Sequence, residues 1–97
     1  MKILIIEDNI SLVSTLKDVL ESNNYEVDYL LSLEEIDDYA ILNSYDLILL
    51  DLMLGKYNGL DFLKTIRDDI NTPIIILTAK NTKDDIMRGF GLGADDY

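Results

Sequence analysis

The chain contains no cysteine and no histidine. The first absence excludes a disulfide framework and thiolate chemistry; the second removes the usual imidazole base, the usual zinc ligand and any role as a phosphohistidine carrier. Basic residues are scarce, with eight Lys and Arg against nineteen Asp and Glu and a net charge of -11. That balance argues against direct nucleic-acid contact, which needs Lys/Arg clusters to displace counterions from phosphates. Long apolar runs are also missing. Met1 to Ile6 meets Glu7-Asp8 at once, far short of the roughly 20 apolar residues of a membrane helix and unlike a signal peptide. The expectation is a soluble cytoplasmic protein without membrane contact, in which the sequon-like Asn9-Ile10-Ser11 is a coincidence of a short pattern.

What is present suits one small domain, since 97 residues with 48% hydrophobic content can bury a real core. The stretch Tyr45 to Gly59 organises it. Leu47 to Leu50 is an unbroken apolar run ending on Asp51, and a turn-like Gly55-Lys56-Tyr57-Asn58-Gly59 follows. A strand this uniformly apolar is normally covered on both faces, as parallel strands are. Ligands of open parallel sheets bind just outside the carboxyl ends of the strands, so Asp51 is well placed for chemistry.

The remaining segments alternate. Ile3 to Ile6 predicts a buried first strand that also stops on acids, Glu7 and Asp8. Leu12, Val13, Leu16, Val19 and Leu20 recur at helical spacing, with Asp8 or Asn9 as N-cap and Asn23-Asn24 as the stop. Tyr25 to Leu30 alternates, placing Tyr25, Val27 and Tyr29 opposite Glu26 and Asp28, which describes an edge strand with one wet face. Ser32 and Glu35 form a capping-box pattern that predicts a second helix carrying Leu33, Ile36, Ala40 and Ile41. Leu60, Leu63, Ile66 and Ile70 mark a third helix, stopped by Asn71-Thr72-Pro73, the only proline. Ile74 to Leu77 predicts a fourth strand ending at Thr78. A fourth helix follows, capped by Asn81 or Thr82 and weakened by Gly89, Gly91 and Gly93, each costing roughly 1 kcal/mol at an interior position.

Strand then helix, repeated, implies an α/β fold, a doubly wound parallel sheet with right-handed crossovers. The second strand is an edge, and the acids of strands one and three meet only if those strands are neighbours, so the order is 2-1-3-4. The fourth strand reads as interior, yet nothing in residues 1–97 can form its outer neighbour. A fifth strand beginning near Tyr97 and a fifth helix are expected to complete the domain.

In that order the winding reverses between strands one and three, opening a crevice on which Glu7, Asp8 and Asp51 converge. Three carboxylates so close must raise their pKa values or be neutralised by a hard cation. Oxygen ligands without His or Cys point to Mg²⁺, typically held by one or two carboxylates and a phosphate. Glu7 and Asp8 alone also suit the first turn of a helix, where the dipole favours acids; Asp51 and Thr78, each ending a strand at the same crevice, tip the balance toward metal.

In Ile3-Leu4-Ile5-Ile6-Glu7-Asp8, Asp46 to Leu54, Gly59-Leu60, Pro73 to Ala79 and Gly93-Ala94-Asp95-Asp96-Tyr97, the chain resembles the receiver domain of two-component response regulators over essentially all 97 residues. The resemblance implies a flavodoxin-like (βα)5 fold of strand order 2-1-3-4-5, residues 1–97 being a receiver domain without most of its fifth unit. It implies that Asp51 accepts a phosphoryl group from a sensor histidine kinase. It implies further that Glu7, Asp8, Asp51 and the Met53 backbone carbonyl bind Mg²⁺, and that Thr78 and Ala79 contact the phosphoryl group. Thr78 and Tyr97 would form the switch, with the fourth helix the segment that shifts. Such a protein assists its own phosphorylation and dephosphorylation and is not a turnover enzyme. The last six residues look most like receivers joined to winged-helix outputs, implying a transcriptional regulator, a homodimer on activation and DNA contact through a separate domain.

Two departures from the family pattern stand out. The phosphate-binding Lys belongs about three residues past Tyr97, and the usual Pro after the acceptor strand is Gly55, which should loosen that loop. Four rivals fit less well. A haloacid-dehalogenase-type phosphatase needs Asp-x-Asp after its first strand, where this chain has Glu7-Asp8-Asn9. A nucleotide-binding domain needs a glycine-rich phosphate loop that is absent, and an EF-hand starting at Asp51 fails at Met53 and Gly55. A receiver-like interaction module that is never phosphorylated would have no need of the intact acids.

Overall fold

The computed structural model of the protein describes residues 1–54 and 57–77. In chain order they form β1 (Lys2–Ile6), α1 (Ile10–Ser22), β2 (Glu26–Leu30), two 3-10 turns at Leu33–Glu35 and Tyr39–Ser44, and β3 (Leu47–Asp51). A small ribbon, β4 (Met53–Leu54) with β5 (Tyr57–Asn58), then leads into α2 (Gly59–Arg67) and β6 (Ile74–Leu77). The four long strands make a parallel sheet in the order β2-β1-β3-β6. This is the expected order, with β6 as the fourth strand. The predicted fourth helix, from Asn81 to Gly93, lies outside the described residues.

Both faces of the sheet are covered, which explains why β1 and β3 read as continuous apolar runs. One core joins Leu4, Ile6, Ile48 and Leu50 to Leu60, Leu63 and Ile66 of α2. The other joins Ile3, Ile5, Val27 and Leu49 to Val13 of α1. Alternate residues of one strand thus serve opposite layers, and each fully buried aliphatic side chain stabilises the fold by about 1.5–3 kcal/mol.

The ends of α1 follow from its sequence. The Asn9 side chain accepts hydrogen bonds from the Ser11 and Leu12 amides at 3.0 and 3.2 Å, so Asn9 rather than Asp8 is the cap. At the other end Asn24 takes a positive φ of 70°, and the Asn24 and Tyr25 amides donate to the Glu21 and Leu20 carbonyls. That pairing is a Schellman stop built on an asparagine, one of the few side chains that tolerate the left-handed region.

The second predicted helix does not form. Ser32 does accept from the Glu34 amide, and Glu35 reaches back to the Leu31 amide, so the capping chemistry starts a turn. Ile36 is nevertheless extended, with φ -98° and ψ 110°, and Asp38 caps a second short turn by accepting from Ala40. A continuous helix would set Glu34, Glu35, Asp37 and Asp38 against one another at i,i+3 and i,i+4 without a cation, which is destabilising. Asp side chains also compete for nearby backbone amides. The apolar stripe shifts accordingly, with Ile41 60% exposed and Leu42 fully buried. The carbonyls of Leu42 and Tyr45 both lie within hydrogen-bond reach of the buried Thr72 hydroxyl.

Two smaller corrections concern the edge strand. Tyr25 and Tyr29 are exposed and only Val27 is buried on their face, because an edge strand extends past the helix that covers it. The ribbon after Asp51 was also not expected. Its register, Met53 opposite Asn58 and Leu54 opposite Tyr57, encloses a two-residue loop, the length that favours a hairpin.

Candidate functional site

β1 and β3 are hydrogen-bonded neighbours with Ile6 opposite Leu50. The next residue on each strand is therefore an acid, Glu7 on one and Asp51 on the other, and alternation along the strands puts both on the face that carries Ile5 and Leu49. Asp8 follows Glu7 just before the Asn9 cap. One carboxylate oxygen from each of Glu7, Asp8 and Asp51 lies within 4.8 Å of the other two. Glu7 and Asp51 are buried, at 5% and 8% exposure, whereas Asp8 is open to solvent.

The electrostatics of this trio are unfavourable without a cation. Burial, opposed by one backbone hydrogen bond and aided by the adjacent Asp51 and Asp8 carboxylates, pushes the Glu7 carboxyl up from 4.5 to about 7. The opposing bond is donated by the Asn9 amide to Glu7 Oε1 at 3.1 Å. One residue thus both opens α1 and aims a carboxylate. Sequence reasoning recognised the cap and missed the second task; the signal was the position of Asn9 immediately after Glu7-Asp8.

The donor set fits a hard divalent ion. Mg–O distances of about 2.0–2.1 Å in an octahedron place ligand oxygens roughly 3–4 Å apart, the scale of this cluster. All three donors are oxygens, and the raised pKa of Glu7, due first to burial and then to the neighbouring carboxylates, marks an environment unfavourable to its charge that a cation would relieve.

The other sequence-selected residues fall as follows. Met53 lies two positions beyond Asp51, in the first strand of the ribbon. Thr78, Ala79 and Tyr97 lie outside the described residues, as do Gly55, Lys56 and Lys80. Leu77, which immediately precedes Thr78 in sequence, is the register partner of Asp51. Among the described residues no helix is long and apolar enough to cross a membrane.

Known proteins are similar to this chain in sequence and in fold. The response regulator ArlR of Staphylococcus saprophyticus is 47% identical over 96 residues, which cover 99% of this chain and 44% of ArlR. The transcriptional regulatory protein DltR of Streptococcus agalactiae is 41% identical over 98 residues, covering 100% of this chain and 44% of DltR. Among solved structures, a response regulator protein from Burkholderia pseudomallei, with a phosphorylated aspartic acid, a calcium ion and citrate, superposes with a TM-score of 0.86 at 26% identity. That match covers 99% of this chain and 57% of that one. The chain therefore spans less than half the length of the curated relatives it matches. The response regulator receiver domain family matches residues 3–97, and with the β2-β1-β3-β6 sheet and its acidic crevice in place, the chain belongs to that family.

Proposed function

We propose that Asp51 accepts a phosphoryl group from a sensor histidine kinase and that the protein is a phosphorylation-controlled switch in two-component signalling. The observation that carries this reading is the convergence of Glu7, Asp8 and Asp51 within 4.8 Å at the carboxyl ends of two adjacent strands. A carboxylate attacks without losing a proton, so the reaction needs no base and the lack of histidine is no obstacle. An Asp51 oxygen forms the new P–O bond while the bond from phosphorus to the donor breaks. The chain is consumed stoichiometrically in that step and is no turnover enzyme.

Catalysis of phosphoryl transfer rests on position and on charge neutralisation. Mg²⁺, held by Glu7, Asp8, Asp51 and the Met53 carbonyl, would neutralise the charge that gathers on the phosphoryl oxygens. Glu7 is oriented by the Asn9 amide, and Asp8 faces the solvent from which a hydrated ion arrives. The Thr78 hydroxyl and the Ala79 amide donate hydrogen bonds to the phosphoryl group. The doubly charged product draws Thr78 toward it, and Tyr97 and the fourth helix respond. The length of the relatives and the name of DltR support an output in transcription, with DNA contact by a separate domain of a cytoplasmic protein and pairing of two copies on activation.

The test is incubation of the full-length native protein with acetyl phosphate and Mg²⁺, read by intact mass. One added phosphoryl group is expected in the wild type and none in Asp51→Asn. No addition to the wild type, or addition that persists in Asp51→Asn, overturns the proposal.

A further inference from the structure

The connection between β2 and β3, which does not become a helix, leaves a cavity of about 250 Å³ against the sheet. Its walls are Leu4, Leu30, Ile36 and Leu42, of which Leu4 and Leu42 belong to the buried core. Glu35, Asp37 and Asp38 also line it and are exposed, giving an apolar interior with an acidic mouth. Ile41, also at its lining, exposes 60% of its surface.

Size and charge define the occupant. Small-molecule sites run to about 300–1,000 Å³, so this volume suits one anchoring side chain of a protein segment, as interface hot spots do. The chain has no Lys or Arg between Lys17 and Lys56, so the connection that carries these acids brings no cation of its own, and the Lys2 ammonium stands beside the Tyr45 ring, 5.0 Å from its centre. An acidic segment, including one from another copy of this domain with its net charge of -11, meets like charge at this mouth.

We infer that this cavity is a docking site for a basic segment of another protein that presents one bulky aliphatic side chain between lysines or arginines. The aliphatic group enters between Ile36 and Leu42, and the flanking cations meet Glu35, Asp37 and Asp38. Charge complementarity of this kind speeds encounter and selects partners. The site lies on the connection after β2 and is independent of the reading of Asp51.

The experiment is an NMR titration of the ¹⁵N-labelled protein with Lys-Lys-Leu-Lys-Lys, Lys-Lys-Ser-Lys-Lys and Glu-Glu-Leu-Glu-Glu. The first peptide is expected to shift amides in 36–42, with the serine peptide about tenfold weaker and the acidic one inert. Asp37→Lys should weaken the first peptide by a similar factor, its unshifted remaining amides showing that the fold is kept. Equal binding of the leucine and serine peptides, or shifts scattered over all exposed acids, would reduce the effect to general charge attraction and overturn the inference. Binding of the acidic peptide would overturn it too. Shifts of 36–42 that depend on protein concentration without peptide would mean that a second copy fills the cavity, and would also refute it.

Discussion

The two ends of β1 and β3 both gather carboxylates, and they treat them in opposite ways. At the amino end Asp46 accepts from the Lys2 amide at 2.7 Å, and Asp28 accepts from the Tyr45 hydroxyl at 2.8 Å. The Lys2 ammonium stands 4.0 Å from Asp28 and 5.0 Å from the centre of the Tyr45 ring. At the carboxyl end, Glu7, Asp8 and Asp51 crowd one another, and two of the three are buried. The difference shows in the titrating groups. Burial and the Asp28 hydrogen bond raise the Tyr45 phenol to about 12, favouring its neutral donor form, whereas burial and acidic neighbours raise the Glu7 carboxyl to about 7. The acids of the amino end sit beside an ammonium and a hydroxyl, whereas those of the crevice sit beside one another.

Magnesium provides the largest contrast between the two ends. Asp8→Asn or Glu7→Gln should weaken Mg²⁺ binding, measured by calorimetry, by more than about a hundredfold, since even supporting groups around metal ligands cost 10–100-fold. Asp28→Asn should leave it unchanged. Equal binding in wild type and Asp8→Asn would break the comparison.

Next in size is the pH dependence of the metal-free protein. Glu7 keeps its proton to about 7 when folded and to 4.5 as an ordinary carboxyl. Between these values the unfolded chain has released a proton that the folded one retains, so stability falls as pH rises. The contribution is complete below 4.5 and is lost by about 7, a decline on the order of 3 kcal/mol. Urea unfolding against pH should show it, Mg²⁺ should restore stability above neutrality, and Glu7→Gln should flatten the curve.

The smallest effect belongs to the amino end. Tyr45→Phe removes one hydrogen bond to a partly exposed carboxylate and should cost about 1 kcal/mol without altering Mg²⁺ affinity. It should also abolish a phenol that titrates near 12 in a spectrophotometric titration, because that raised pKa rests on burial and Asp28. A change in metal affinity in this variant would show that the two ends are coupled.

Much of this was legible before any coordinates. Runs of buried aliphatics named the strands, and acids ending two of them named the crevice, because a charge directly after a buried strand must surface at the sheet's edge. The connection from Leu31 to Asp46 was misread for an equally physical reason. Its apolar spacing satisfied a helix, but periodicity does not register that four acids without cations repel along a helical face. Nor does it show that Leu42 rather than Ile41 turns inward, where the Leu42 carbonyl accepts from the hydroxyl of Thr72, thirty residues later. Phe62 was passed over in the same way; it is buried and meets Tyr39 edge-on, with ring centres 5.6 Å apart.

The amino-acid order alone determined the four parallel strands, the helices α1 and α2, the sheet order and the identities of the three acids, since these follow from local periodicity and from where apolar runs stop. Only the tertiary structure decided that Asn9, not Asp8, caps α1, that Glu7 is buried while Asp8 stays wet, and that the second connection leaves an acidic-mouthed cavity. Those outcomes depend on which groups from distant segments share a small volume, where desolvation and repulsion act between residues that no sequence window contains together.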